Sequence, residues 1–163
     1  MTRKSVAHLN CSWAKAAEVL GDKWSILIIR DAFMGARTFS SFEKSFGVSK
    51  GVLTQRLEYL VTEGILKKSA IGIGSSRYEY QLTAKGEALY PLLVALGQWG
   101  DEWLVGEGKE PWLVVDTKTE KPIKKLAVHA KDNRELAYKD ITFRPGPGAN
   151  DRIREIAEEI QRS

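Results

Sequence analysis

The stretch that decides the fold is VSKGVLTQRLEYLVTEGIL, Val48 to Leu66. It has a small polar start, leucines at helical spacing and a Glu-Gly stop. A strand-like apolar pair follows. Ser49 is an N-cap residue, and Leu53, Leu57 and Leu60 repeat at i, i+4 and i+7, so one side of the helix is bound for a core. Projection at 100° per residue sets Gly51, Thr54, Gln55 and Glu58 opposite that stripe, with Ser49 and Lys50 at the amino end. Small or hydrogen-bonding groups at the start of a helix suit a major groove, because the helix dipole favours phosphate there and Thr, Gln and Lys can meet base edges. A merely solvent-facing side is the alternative at this point.

The flanking residues sharpen the reading. Upstream, Ser40-Ser41-Phe42-Glu43 reads as a capping box for a short helix ending at Phe46-Gly47, with Arg37 and Thr38 in the loop before it. Two short helices joined by a tight glycine-containing turn form a helix-turn-helix pattern. Downstream, residues 66–71 and 77–82 read as two strands around the glycine-rich tip Gly72-Ile73-Gly74-Ser75-Ser76, with Tyr78, Tyr80 and Leu82 on one face. A hairpin directly after a recognition helix is a wing, and Lys67, Lys68 and Arg77 are then placed to touch phosphates or a minor groove. The chain's net charge of +4 is concentrated here, since residues 37 to 85 carry eight lysines and arginines against four glutamates.

Nearer the amino terminus, Ser12 is read as capping a helix of Trp13, Ala16, Ala17 and Leu20 that stops at Gly21, and Asp22 as capping a second helix, Lys23 to Met34. After the wing, Thr83 caps a long helix expected from Ala84 to about Leu104, with Leu89, Leu92, Leu93, Leu96, Trp99 and Trp103 on more than one face. A small winged-helix core hides one such face. A second copy of the chain is the economical partner for the other, and a twofold pair of reading helices would address a near-palindromic duplex.

Several motifs together resemble the HxlR-type winged helix-turn-helix regulators. They are Gly21-Asp22-Lys23-Trp24, Arg37-Thr38-Phe39, Leu53-Thr54-Gln55-Arg56-Leu57, Glu63-Gly64-Ile65-Leu66, Tyr78 through Gly86, and Trp99-Gly100, covering about residues 11 to 104. The resemblance implies a homodimeric bacterial transcription factor that dimerises through its first helix and the long helix after the wing. On this reading double-stranded DNA is met by Arg37, Ser49, Lys50, Thr54, Gln55, Arg56, Lys67, Lys68 and Arg77, and the dimer seam is formed by Trp13, Leu92, Leu96, Trp99 and Trp103. Many such proteins carry a cysteine just before the first helix, in some a sensor of oxidants or electrophiles. Cys11 stands at that position, followed by Ser12 where the family often has proline.

From about Gly106 the pattern changes. Trp112 to Val115, Ile123 to His129 and one or two strands up to Phe143 are expected to form a small β appendage, followed by Arg144-Pro145-Gly146-Pro147-Gly148 and an amphipathic terminal helix, Asp151 to Gln161. The expected organisation is thus α+β: a winged helix-turn-helix with a long dimerisation helix over residues 1–105, and a β appendage with a terminal helix over 106–163. Trp99, Trp103 and Trp112 are candidates to wall an effector pocket at the seam.

Other classes fare less well. With one cysteine and two histidines, neither a disulfide framework nor a tetrahedral zinc site can be built, and no cofactor is implied. Gly72-x-Gly74 lacks the third glycine of a dinucleotide fingerprint, and no catalytic triad or carboxylate pair can be argued, so the chain does not read as an enzyme. No stretch reaches the roughly 20 apolar residues of a membrane span, and a cytoplasmic address is expected. The rivals are a winged-helix adaptor that binds protein and a MarR-like ligand-controlled repressor.

Overall fold

The computed structural model describes residues 5–6, 8–72 and 76–162. Their contacts separate into two compact units, one of residues 19–126 and one joining the first 18 residues to residues 127–163, a different division from the one expected at residue 105.

In the first unit, α2 (Lys23–Phe33) starts where the Asp22 carboxylate accepts from the amides of Trp24 and Ser25, at 3.0 and 3.2 Å. This satisfies two of the donors a helix leaves open at its start. It ends before Gly35, whose φ of +98° is costly for a residue with a side chain. Helix α3 (Phe39–Phe46) is capped by Thr38 rather than Ser40. The Thr38 hydroxyl accepts from the Ser41 amide, and the Ser41 hydroxyl accepts in return from the Thr38 amide. The cap lies two residues earlier because Thr38 is held extended by a bridge to Glu79. Helix α4 (Lys50–Thr62) starts from Ser49, whose hydroxyl accepts from the Val52 amide at 3.4 Å.

The leucine stripe does what its spacing demands. Leu53, Leu57 and Leu60 are buried with Ile28, Ile29, Ala32, Phe42, Ile65, Leu66 and Tyr80 in one cluster, where the Phe42 and Tyr80 rings meet edge to face at 6.3 Å. The wing is an antiparallel pair, β1 (Leu66–Ala70) and β2 (Tyr78–Leu82), registered Leu66 to Leu82 and Lys68 to Tyr80. Residues 73–75 of the expected tip lie outside the described residues. The Tyr80 amide donates to the Arg37 carbonyl at 2.7 Å, so the wing is stitched to the loop that opens the helix-turn-helix.

The long helix is interrupted. Thr83 caps α5 (Ala84–Glu87) as expected, but the chain then turns and restarts as α6 (Tyr90–Gly100). Pro91 is the cause: it has no N–H for the Glu87 carbonyl, and its ring crowds the turn before it. Beyond α6 the helix widens into a π-turn over Asp101–Val105, closed by the Gly106 amide on the Asp101 carbonyl at 2.7 Å. Gly86 is buried at a close approach, where a Cβ would stand 2.3 Å from the Ile65 carbonyl oxygen. Later in this unit the strand expected at Trp112–Val115 is reduced to one bridge, Val115 to Pro122. Pro122 cannot donate to a ladder, and the Asp116 carboxylate closes the turn by accepting from the amides of Lys118 and Thr119.

In the second unit, α1 (Ser12–Leu20) opens on the Cys11 carbonyl, which accepts from the Lys15 amide at 3.0 Å. Ser12 is the first helical residue, not the cap. The last two residues of α1 belong to the first unit, where Val19 and Leu20 pack against the core. Strands expected up to Phe143 are absent among the described residues beyond a bridge between His129 and Glu135, and a 3-10 turn covers Tyr138–Asp140. Helix α7 (Asp151–Arg162) starts where Asn150 accepts from the Ile153 amide at 3.1 Å.

Candidate nucleic-acid interface

A reading surface needs a rigid back and a polar front. The back of α4 is its fully buried leucine row; Gly51, Thr54, Gln55 and Glu58 are exposed on the other side. Thr54 and Gln55 stand less than two turns from the amino end, where peptide dipoles leave partial positive charge for an anion. Ser49 is exposed but its hydroxyl is engaged in the cap. Lys50 is 79% exposed along its side chain and lies 3.8 Å from Glu43 on α3. Such an exposed, extended pair is worth at most about 1 kcal/mol and yields readily to a phosphate.

Two of the expected DNA contacts are occupied within the protein. Arg56 is only 29% exposed, and its Nε lies 3.3 Å from the Asp22 carboxylate in an ion pair without hydrogen-bond geometry. Asp22 is also the cap of α2, so Arg56 joins the start of α2 to the middle of α4. Arg37 donates from Nη1 to the Ala32 and Ala36 carbonyls at 2.6 and 3.0 Å, closing the carboxyl end of α2. Lys85, counted in the basic segment, likewise donates to the Glu63 carbonyl at 2.6 Å and completes the end of α4.

On the wing, Lys67 and Lys68 are both exposed, but as neighbours on a strand they stand on opposite faces of the hairpin. Lys68 shares the face of Tyr78 and Tyr80, its ammonium 4.4 Å from the Tyr78 ring centroid and 5.9 Å from that of Tyr80. Lys67 stands on the other face with Glu79 and Gln81. Arg77 is exposed at the wing's return, where its carbonyl accepts from the Ile71 amide at 2.9 Å. The structure thus brings together Ser49, Lys50, Thr54 and Gln55 on one helix end, adds a basic wing, and diverts Arg37 and Arg56. Sequence reasoning named Thr38 and Gly86 only as motif residues, because their roles depend on Glu79 and Ile65, far along the chain.

The apolar row that runs along α6 into the π-turn after it is open. Leu92, Leu96, Trp99 and Trp103 are 53%, 45%, 53% and 68% exposed, and Trp13, on α1, is 69% exposed. The Trp13 ring meets that of Phe143 edge to face at 5.4 Å. Trp99 and Trp103 line a cavity of about 230 Å3 with Ala95, Gln98, Glu102, Lys125 and Leu126. Trp112 takes no part in it. The Gln98 carboxamide holds the wall in place, donating to the Lys124 carbonyl at 3.1 Å and accepting from the Leu126 amide at 2.8 Å, beside a Lys125–Glu102 ion pair. Among the described residues, no group of three His, Cys, Asp or Glu is placed to hold a metal, and no helix is long and apolar enough to cross a membrane.

Comparison with known proteins agrees with this geometry. The HxlR-like helix-turn-helix family matches residues 19–107. The chain is 34% identical over 138 residues to Rv3095 of Mycobacterium tuberculosis, named an uncharacterized HTH-type transcriptional regulator, covering 84% of this chain and 87% of that protein. An alignment of that length extends past the family match into the tail. The fold is similar to the crystal structure of PA1607, described as a candidate transcription factor, with a TM-score of 0.82 and 38% identity over 88% of this chain and all of that one. It is also similar to PA1374 from Pseudomonas aeruginosa, described in the same way, with a TM-score of 0.65 and 32% identity over 90% of this chain and 99% of the other. With its recognition helix backed by buried leucines and a basic wing beside it, this chain belongs to the HxlR-like helix-turn-helix family of transcriptional regulators.

Proposed function

We infer that the protein acts as a homodimeric, sequence-specific repressor that occupies a near-palindromic operator. The observation that carries this reading is the exposed Thr54–Gln55 face of α4, held from behind by three buried leucines. In it, Gln55 and Thr54 read base edges, Lys50 and the first-turn amides hold a phosphate, and Lys67, Lys68 and Arg77 grip the backbone beside the groove. Arg37 and Arg56 act indirectly, Arg37 by closing the carboxyl end of α2 and Arg56 by tying the start of α2 to α4. The open Leu92–Leu96–Trp99–Trp103 row supports a second copy as partner, since water-exposed tryptophans and leucines at helical spacing are costly to leave bare. Half-sites about one or two helical turns apart follow from twofold symmetry. Repression needs no further part, because a winged helix lying on an operator excludes other proteins from it. Control by a small molecule or by oxidation of Cys11, half-buried just before α1, belongs to the same reading.

The test is the affinity for duplex DNA, recovered by genomic footprinting, as salt is raised. Counterion release makes log K fall linearly with log salt, with a slope near −0.9 per phosphate neutralised. Sedimentation at the same concentrations reports the dimer, and a reporter gene the sign of regulation. Absence of duplex binding at low salt would favour a protein-binding adaptor and end the reading.

A further inference from the structure

Helix α7 carries charges of both signs, and which of them are paired matters. Glu155 lies 3.7 Å from Arg152, and Glu158 accepts from Arg162 at 3.0 Å. The Arg154 guanidinium has no ion-pair or hydrogen-bond partner among the described residues, and neither has that of Arg144 in the segment before the helix. Residues seven apart share a helix face, so Arg154 and Gln161 stand in one row with the small, half-buried Ala157 between them. Arg154 and Gln161 line an open cleft of about 700 Å3 together with Thr142, Arg144 and Pro145.

The lining is a donor set without a counter-ion. Two arginines, a threonine, a glutamine and a proline line the cleft, and no aspartate or glutamate does. Arginine forks match the planar oxygens of a carboxylate or the tetrahedral oxygens of a phosphate, with charge-assisted hydrogen bonds. Two unpaired cations facing one cleft repel each other, and an anion between them removes that repulsion. The polar, open lining suits a compact, multiply charged ligand rather than a flat apolar one.

We propose that the cleft between residues 142–145 and α7 is an effector site for a small multivalent oxyanion, a dicarboxylate or a phosphorylated metabolite, bridged by Arg144 and Arg154. Its influence on DNA binding rests on the regulator reading above; the binding of the anion does not.

Isothermal titration of the full chain with succinate and, separately, inorganic phosphate distinguishes the two ligand chemistries, with benzoate as a singly charged control. Saturable binding of succinate or phosphate is expected, weakened at least about tenfold in Arg144→Gln/Arg154→Gln, the loss that two charge-assisted contacts imply. The charge-matched control Arg152→Gln/Arg162→Gln should bind as the wild type does. Arg154→Lys, which keeps the charge and loses the fork, should fall between, and circular dichroism checks that each variant is folded. No saturable binding by either anion, or equal weakening in both double variants, would overturn the proposal. So would a loss of duplex affinity in Arg144→Gln/Arg154→Gln without any anion binding by the wild type, since the cleft would then grip DNA phosphate. If anions bind as expected while DNA affinity is absent with and without them, the regulator reading fails and the site stands.

Discussion

Gly86→Ala tests how the end of the recognition helix is anchored. Gly86 lies within α5 at an ordinary negative φ, so backbone preference alone would favour alanine there by up to about 1 kcal/mol. Space argues the other way. The new Cβ would stand 2.3 Å from the Ile65 carbonyl oxygen and 2.9 Å from Leu82 Cδ2, where ordinary contacts begin near 3.4 Å. The leucine methyl can turn aside, but the carbonyl has little freedom. Ile65 is buried, and its oxygen accepts from the Thr83 amide at 3.0 Å, while the Thr83 hydroxyl donates to the Gly64 carbonyl at 2.6 Å. Relief therefore requires α5 to back away by about 1 Å, loosening the junction where α4 hands over to the wing. Overpacking of this kind costs about 1–3 kcal/mol, and sometimes more, so the steric cost outweighs the propensity gain. The expected net loss is about 1–2 kcal/mol, or roughly 2–4 °C in Tm per kcal/mol for a chain of this size. Urea and thermal melts at fixed protein concentration measure it, with Gly51→Ala as control because nothing lies within 4 Å of that Cβ. Gly51→Ala should be neutral or slightly stabilising. A Gly86→Ala protein as stable as wild type would refute the reasoning.

Three further outcomes are expected. Gln55→Ala should narrow the gap between matched and scrambled duplexes by about 1–3 kcal/mol, whereas Arg77→Ala should weaken both alike and lower the salt slope by about one unit; equal losses for Gln55→Ala on both duplexes would remove it as a base reader. If Cys11 is a thiol switch, a diamide-type oxidant should shift wild-type gel-shift curves and leave Cys11→Ser unmoved, and four superimposed curves would end the idea. Asp116 has its carboxyl held below the ordinary aspartate value of 3.8, chiefly by the Lys118 amide and then by that of Thr119. Its contribution to the 116–119 turn is therefore present above that ordinary value and is lost as pH falls through the lowered one. Amide chemical shifts of Lys118 and Thr119 should follow that acid titration and lose it in Asp116→Asn.

Much of this molecule is written in short-range pattern. The spacing of Leu53, Leu57 and Leu60 determined which side of α4 is buried, and so which residues face outward; Asp22, Ser49 and Thr83 announced three helix starts that the structure keeps. These signals are legible because a cap or a stripe involves residues within a few positions of each other, and the backbone geometry relating them is known in advance. The Pro91 break was legible in the same way, yet the apolar run through it read as continuous.

The tertiary structure decided the rest. That Arg56 pairs with Asp22, that Arg37 closes α2, and that Thr38 takes the cap expected of Ser40 all follow from contacts between residues brought together only by folding. A positive charge beside a helix looks the same in sequence whether it faces a phosphate or a carbonyl of its own chain. The tail differs in kind. Its apolar, β-prone residues suggested strands, but a strand exists only where a partner supplies a ladder, and within the described chain Val115 and His129 find one bridge each. Local periodicity settles which way a residue faces along its own element; what it then meets depends on long-range packing, which no window of sequence contains.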